Sequence, residues 1–181
     1  MHKIGSCILL FLACTHVVLA QKFSVTEGKV DFASHAELEL IKASSTELTG
    51  IIDTSTNRIA FRVNNKSFQG FNSGLQRQHF NDKYMESHLY PSSTFTGKII
   101  EHVNYTQPGV YDVRVKGELE IHGQKQTRII KGKLTVRDKG LSIETSFPVP
   151  LSDHNISIPK IVSQKIATEI EVNITATLGA Q

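Results

Sequence analysis

The sequence contains little cysteine and no tryptophan. Its 181 residues include two cysteines, Cys7 and Cys14, and both lie within the first 20 positions. The rest of the chain therefore cannot form the disulfide framework on which many small secreted domains depend. Its fold has to be stabilised by a hydrophobic core.

The sequence also has no run of charge of one sign and no common catalytic motif. The formal net charge is +3, and basic residues are interspersed with acidic ones, which excludes the clustered basic stripe of a nucleic-acid-binding protein. There is no G-x-S-x-G nucleophile turn and no phosphate loop ending in Lys-Ser or Lys-Thr. We therefore predict no enzymatic activity and no nucleic-acid partner.

The histidines give little indication of a metal site. Of the histidines after residue 20, none lies two or four positions from another, which is the spacing that binds one metal ion from a strand or a helix. The densest polar group is His79, Asp82, Glu86 and His88. On a helix the first three would share one face, and we interpret it as a solvated face in preference to a metal or hydrolytic site. No metal and no cofactor are predicted.

The N-terminus has the features of a secretory signal peptide. Lys3 precedes an almost uninterrupted apolar run over residues 4–19, and Ala20 provides the small residue before a cleavage site. This run is shorter than the roughly 20 residues that span a bilayer. We expect a signal peptide over 1–20 and a periplasmic or secreted domain over 21–181. The alternatives are an uncleaved anchor and lipidation of Cys14.

After residue 20, apolar residues recur at every second position, which is typical of strands with one buried face. In the segment 111–121 the apolar residues alternate with Asp, Arg, Lys and Glu. Similar segments lie at 58–63, 95–103, 130–136, 141–147 and 166–178. About eight strands, several of them long, favour an all-β, closed antiparallel barrel over a small sandwich.

One segment breaks the alternation. Residues 71–91, FNSGLQRQHFNDKYMESHLYP, have apolar spacing that predicts a short helical insert around residues 75–89, ended by Pro91. An insert of this kind in a barrel is expected to cover an apolar interior at one end.

Three stretches carry a family resemblance. They are GKVDFASHAELELIKASS at 28–45, FNSGLQRQHFNDKYMESHLYPSSTFTGKI at 71–99 and GELEIHGQKQTRIIKGKLTV at 117–136. The second contains the pattern H-F-x-x-x-Y-M-E-S-x-x-Y-P-x-x-x-F and the third contains L-x-I-H-G. Together they resemble the YceI-like family, a lipocalin-like group associated with polyisoprenoid binding.

The resemblance implies an eight-stranded, antiparallel, lipocalin-like barrel. Its apolar tunnel is expected to hold a polyisoprenoid or similar long-chain lipid, for transport or sequestration. Transient contact of the exported domain with a membrane is left open. The alternative is a secreted structural or stress-related interaction domain whose barrel is filled by side chains. The residues predicted to line the tunnel, or to close one end of it, are Phe61, Phe80, Tyr84, Met85, Phe95, Ile99, Tyr111, Val113, Val115, Leu119, Ile130, Leu134 and Phe147.

Overall fold

A computed structural model describes residues 21–181. The strands are β1 (Lys22–His35), β2 (Leu40–Ser45), β3 (Thr49–Asp53), β4 (Arg58–Asn64), β5 (Ser92–Ile99), β6 (Gly109–Ile121), β7 (Gln124–Arg137), β8 (Gly140–Pro150) and β9 (Glu169–Ala180). One α-helix, α1 (Gly74–His79), continues into a π-helical turn over Phe80–Tyr84. Three short 3₁₀ turns cover Asn65–Ser67, Leu151–His154 and Lys160–Val162. The predicted signal peptide and both cysteines lie outside the described residues.

The strands form one closed antiparallel barrel. Each strand from β3 to β9 pairs with the next, and β9 returns to pair with β1. The other edge of β1 pairs with β3 over residues 22–24 and with β2 over residues 30–35, so β2 and β3 are the two halves of one bent strand. The ring therefore has eight members, which confirms the predicted eight-stranded, all-β barrel.

Two of the expected strands extend, at one end, beyond the strands of the structure. The strand expected over 95–103 is β5, which ends at Ile99, and the strand expected over 166–178 is β9, which begins at Glu169. Between Lys160 and Ile166 the chain turns instead, with the Val162 carbonyl accepting the amide of Ile166 at 3.1 Å. This turn lies over one end of the barrel, whereas a strand there would have lengthened the wall.

The two ends of the barrel differ. At one end, close to the start of β1 and the end of β9, the interior is filled by Phe23, Val136, Leu141 and Leu178, none more than 6% exposed. The other end, called the mouth below, carries the β1–β2 turn, the β4–β5 connection over residues 65–91 and the β8–β9 connection over residues 151–168. Space inside the barrel is therefore found toward the mouth.

Glycines in the wall give two aromatic rings room inside the barrel. A Cβ at Gly50 would collide with the ring of Phe61, its partner on β4. A Cβ at Gly117 would collide with the Thr96 carbonyl and lie 2.8 Å from the Phe95 ring. Because overpacking of this kind destabilises a core, glycine at these positions lets both rings occupy the interior.

The helical insert predicted around residues 75–89 is present, and its helix type changes along its length. The Ser73 hydroxyl accepts the Gln76 amide at 3.1 Å and so caps α1. Further on, the Met85 amide donates to the Phe80 carbonyl five residues earlier, at 2.8 Å, as in a π-helix. The insert ends where Glu86 adopts a φ of 42°. Among residues 21–181, no helix has the length and apolar character needed to cross a membrane.

Asn65 attaches the insert to the barrel. Its side chain is fully buried, donates to the Tyr90 carbonyl at 2.7 Å and accepts from the Ser93 hydroxyl at 2.8 Å. Its backbone amide donates to the Pro91 carbonyl at 2.9 Å. Because buried polar groups are costly to leave unpaired, these bonds fix where the insert returns to β5.

Candidate ligand-binding cavity

The barrel encloses an apolar cavity of about 560 Å³. Inward-facing side chains from all nine strands line it, and the lining reaches down to Ile52 and Ile99, above the filled end. At the mouth the lining includes Leu75 and Lys165, which are exposed to solvent. The cavity is therefore closed at one end and open at the other, and its volume is typical of small-molecule sites.

Four phenylalanines form one side of the cavity close to the mouth. Phe80 of the π-helical turn stacks on Phe32 of β1 with ring centroids 5.4 Å apart and an interplanar angle of 19°. Phe68 and Phe71 contact this pair with centroid distances between 5.1 and 5.8 Å. The aromatic contacts fasten the helical insert to the wall, so the insert partly covers the mouth.

Four charged or polar side chains of the lining lie at the mouth. Glu39, Gln76, His79 and Lys165 lie on the segments there, and Gln76 Nε2 donates to Glu39 Oε1 at 3.0 Å. Burial raises the pKa of Tyr84, another lining residue with a polar group. This arrangement suits a ligand with a long apolar body and a polar end held at the mouth.

The residues predicted to line the interior are found on the cavity wall, with one exception. The wall includes Phe61, Phe80, Tyr84, Met85, Phe95, Ile99, Val113, Val115, Leu119, Ile130, Leu134 and Phe147. Their contact with a ligand stays a prediction. The prediction that Tyr111 lines the cavity is wrong. Tyr111 lies toward the filled end, where its hydroxyl donates to the Asn104 carbonyl at 3.1 Å. Alternation identifies the inward face of a strand but not the height at which a residue lies.

Several lining residues were not selected from the sequence. The wall also contains Phe32, Phe68, Phe71, Ile143 and Ile174. Phe32, Ile143 and Ile174 continue the alternation of their own strands, so the pattern could have identified them. Phe68 and Phe71 lie in the β4–β5 connection, where no periodicity applies, and they reach the cavity only because the connection folds back over the mouth.

Over part of the wall, side-chain hydrogen bonds join β7 and β8 in place of backbone hydrogen bonds. β7 and β8 pair over residues 132–137 and 140–145, and toward the mouth they diverge. Arg128 of β7 bridges the divergence by donating to the Pro148 carbonyl at 2.7 Å and to Asp153 Oδ2 at 3.3 Å. The guanidinium thus helps to keep the cavity wall closed on this side.

The polar group of the helical insert does not converge on a metal site. The π-helical turn and the left-handed Glu86 disrupt the face that His79, Asp82 and Glu86 would share on a regular helix. Glu86 Oε2 instead lies 2.7 Å from His122 Nε2. Within residues 21–181, no three histidine, cysteine or acidic side chains are placed to hold a metal ion.

The contact between Glu86 and His122 joins two of the three stretches that carry the family resemblance. His122 Nδ1 lies 3.0 Å from the His154 carbonyl, which extends the contact to the β8–β9 connection. The His154 side chain is fully buried, and burial lowers the pKa of its imidazole. The Gln124 carbonyl, 3.2 Å from Nδ1, acts in the opposite direction and raises this pKa. These contacts hold the β4–β5 connection, the β6–β7 turn and the β8–β9 connection together, which is a structural role.

The fold and the cavity together define a lipocalin-like barrel with an apolar interior site. The family model of the YceI-like domain matches residues 17–178, and the chain belongs to this family. No curated protein sequence gives a significant match.

Solved structures with the same fold have low sequence identity to this chain. A polyisoprenoid-binding domain from Saccharophagus degradans, implicated in plant cell wall breakdown, has a TM-score of 0.71 and 13% identity, covering 88% of this chain and 98% of that domain. Burkholderia cenocepacia BcnA has a TM-score of 0.68 and 15% identity, with coverages of 83% and 95%. A Campylobacter jejuni YceI protein has a TM-score of 0.63 and 15% identity, with coverages of 81% and 88%.

Proposed function

We propose that this protein is an exported, non-enzymatic lipid-binding protein that holds a polyisoprenoid or a similar long apolar chain in its barrel, for transport or sequestration. The observation that carries the proposal is the apolar cavity of about 560 Å³, closed at one end and open at the mouth. A barrel filled by side chains, the basis of a purely structural or interaction function, would have no such space. The polyisoprenoid-binding domain with the same fold adds support for the chemical class of ligand.

The volume sets the length of chain that the cavity can hold. If a methylene group is taken to be about the size of a water molecule, about 30 Å³ in the liquid, the cavity of about 560 Å³ has room for on the order of 20 carbon atoms, or about four isoprene units. Burying that many groups contributes about 15 kcal/mol at about 0.8 kcal/mol each, before the costs of association and of ordering the chain. This is enough for binding without any charged contact deep in the barrel.

The proposal that the protein is exported rests on its N-terminal sequence. The basic start, the apolar run and Ala20 support a signal peptide over residues 1–20. Expression of the full chain in a bacterial host, followed by cell fractionation and intact-mass measurement, tests this proposal. We expect periplasmic protein that begins at Gln21. Cytoplasmic protein of full mass would contradict export, and a mass increased by acyl chains on Cys14 would support the lipoprotein alternative.

Native mass spectrometry of protein purified without detergent tests the ligand proposal. We expect a stoichiometric adduct that organic extraction identifies as an isoprenoid or another long-chain lipid. If the protein is free of ligand, it is incubated with geranylgeraniol, whose 20 carbons match the estimated capacity. Protein that stays free of ligand under these conditions would refute lipid binding and favour an interaction domain.

A further inference from the structure

Three segments surround the open end of the cavity, and hydrogen bonds join them into one surface. This surface, called the rim below, consists of residues 35–42, 71–80 and 160–166. The Leu38 amide donates to the Gln164 carbonyl at 2.8 Å, which joins the first segment to the third. Asn72 Nδ2 donates to the Leu40 carbonyl at 3.0 Å, which joins the first to the second. The rim is therefore a fixed surface around the mouth.

Large aliphatic side chains on the rim point into solvent. Leu38 is 64% exposed, Leu40 is 45%, Leu75 is 61% and Ile161 is 91%. Of these four, Leu75 also lines the cavity. Through Leu75, the apolar surface of the rim reaches the apolar surface of the interior. Exposed apolar residues grouped around a binding site indicate a contact surface, whereas single exposed residues do not.

The charges on the third rim segment are positive. Between Asn155 and Thr168 the chain has two lysines, Lys160 and Lys165, and no acidic residue. Within residues 21–181 neither ammonium group has a carboxylate partner within 4.0 Å. On the barrel wall, by contrast, Lys125 and Lys133 are paired with acids.

The acids of the rim do not cancel this charge. Glu39 accepts hydrogen bonds from Gln76 at 3.0 Å and from Asn72 at 3.2 Å, so its carboxylate is turned toward the second rim segment. Glu37 is exposed on the first segment. Across the rim these two acids are outnumbered by four basic residues, Lys42, Arg77, Lys160 and Lys165. The third segment, with Ile161 between two cations, keeps its positive charge.

We propose that the rim docks the mouth of the barrel on an anionic lipid bilayer, with Ile161 inserted among the acyl chains and Lys160 and Lys165 at the headgroups. The proposal rests on the proposed function, because a chain longer than about four isoprene units extends beyond the cavity and needs an apolar surface at the mouth. Aliphatic side chains flanked by lysine are the combination that binds the bilayer interface. A second copy of the chain fits less well, since a twofold contact through the rim would bring like charges together.

Flotation with lipid vesicles tests the proposal. Full-chain protein and its variants are expressed and purified in the same way and mixed with vesicles of phosphatidylcholine alone or with 30% phosphatidylglycerol. The wild type is expected to float with the anionic vesicles and to bind neutral ones more weakly. Ile161→Asp is expected to reduce binding at least tenfold. Lys160→Gln is expected to reduce it about fivefold and to weaken its dependence on salt.

Matched controls come from the filled end of the barrel. Val110 is 65% exposed there, and Lys139 lies in the exposed β7–β8 turn. Val110→Asp and Lys139→Gln introduce the same chemical changes away from the rim and are expected to float as the wild type does. If Ile161→Asp floats as well as Val110→Asp, or if the wild type does not float, docking through the rim is refuted. Sedimentation without vesicles that shows a dimer sensitive to Ile161→Asp would assign the rim to a second copy instead.

Geranylgeraniol titration separates this proposal from the proposed function. Ile161 and Lys160 are absent from the cavity lining, so both variants are expected to bind geranylgeraniol as the wild type does. Binding of geranylgeraniol without flotation would refute docking and leave the lipid-binding function intact. Flotation that depends on Ile161, without geranylgeraniol binding, would support docking and refute the cavity as the lipid site. Circular dichroism of each variant checks that the barrel is folded.

Discussion

Replacing Ala176 by leucine distinguishes a barrel with an open cavity from one that is filled. Ala176 on β9 lines the cavity and is 5% exposed, whereas its neighbour Thr177 faces solvent. Leucine adds three carbons to the alanine side chain. At about 30 Å³ each they would occupy about 90 Å³ of the roughly 560 Å³ available. The extra carbons therefore have room, and we expect the free energy of unfolding to stay within about 0.5 kcal/mol of wild type or to rise.

The same change is expected to weaken lipid binding. Three displaced ligand carbons at about 0.8 kcal/mol each give a loss of up to about 2.4 kcal/mol, which is a Kd increase of up to about 60-fold. Thr177→Leu on the outer face of the same strand adds a comparable side chain and is the control. It is expected to leave the Kd for geranylgeraniol unchanged.

Urea unfolding followed by circular dichroism measures stability, since the chain has no tryptophan to provide a strong fluorescence signal. Native mass spectrometry with increasing geranylgeraniol measures affinity. A loss of 1–3 kcal/mol in Ala176→Leu but not in Thr177→Leu is the cost expected of overpacking, and it would show that the barrel is filled at this height. Unchanged stability together with unchanged affinity would mean that the ligand does not occupy this part of the cavity.

Three other predictions concern the barrel itself. Gly117→Ala is expected to cost about 1–3 kcal/mol in urea unfolding, because its Cβ would collide with the Thr96 carbonyl; no loss would refute the close approach of these strands. Arg128→Met is expected to lower the free energy of unfolding by about 2 kcal/mol, because its hydrogen bonds to Pro148 and Asp153 are lost. Arg137→Met is the control: it loses one hydrogen bond of 3.4 Å, and its free energy of unfolding should be close to that of the wild type. Burial places the folded-state pKa of His154 below its unfolded value of 6.5. Between these two pKa values the unfolded chain binds more protons than the folded one. The free energy of unfolding should therefore fall as the pH drops below about 6.5. His154→Asn is expected to show a shallower pH dependence, and an identical slope in both proteins would rule out His154 as its source.

The class of fold could be predicted from the sequence because strand alternation is a local signal. Each inward position on β6, such as Val113 and Val115, can be identified from its immediate neighbours, and the lack of cysteine after residue 20 leaves a hydrophobic core as the means of stabilisation. The helical insert was predicted for the same reason, since the residues before Pro91 interrupt the alternation. Its π-helical turn, whose first residue, Phe80, packs against Phe32 of β1, was not predicted.

The sequence by itself determined the strands, their inward faces and the approximate position of the insert. Only the tertiary structure decided that the interior is filled at one end and open at the other, because the height of a side chain in a barrel depends on the register between strands far apart in sequence. That register excludes Tyr111 from the cavity and places Ala176 in it. The rim was likewise out of reach of sequence patterns, since Leu38 and Gln164 lie far apart in the chain and their backbone hydrogen bond forms only when the barrel closes.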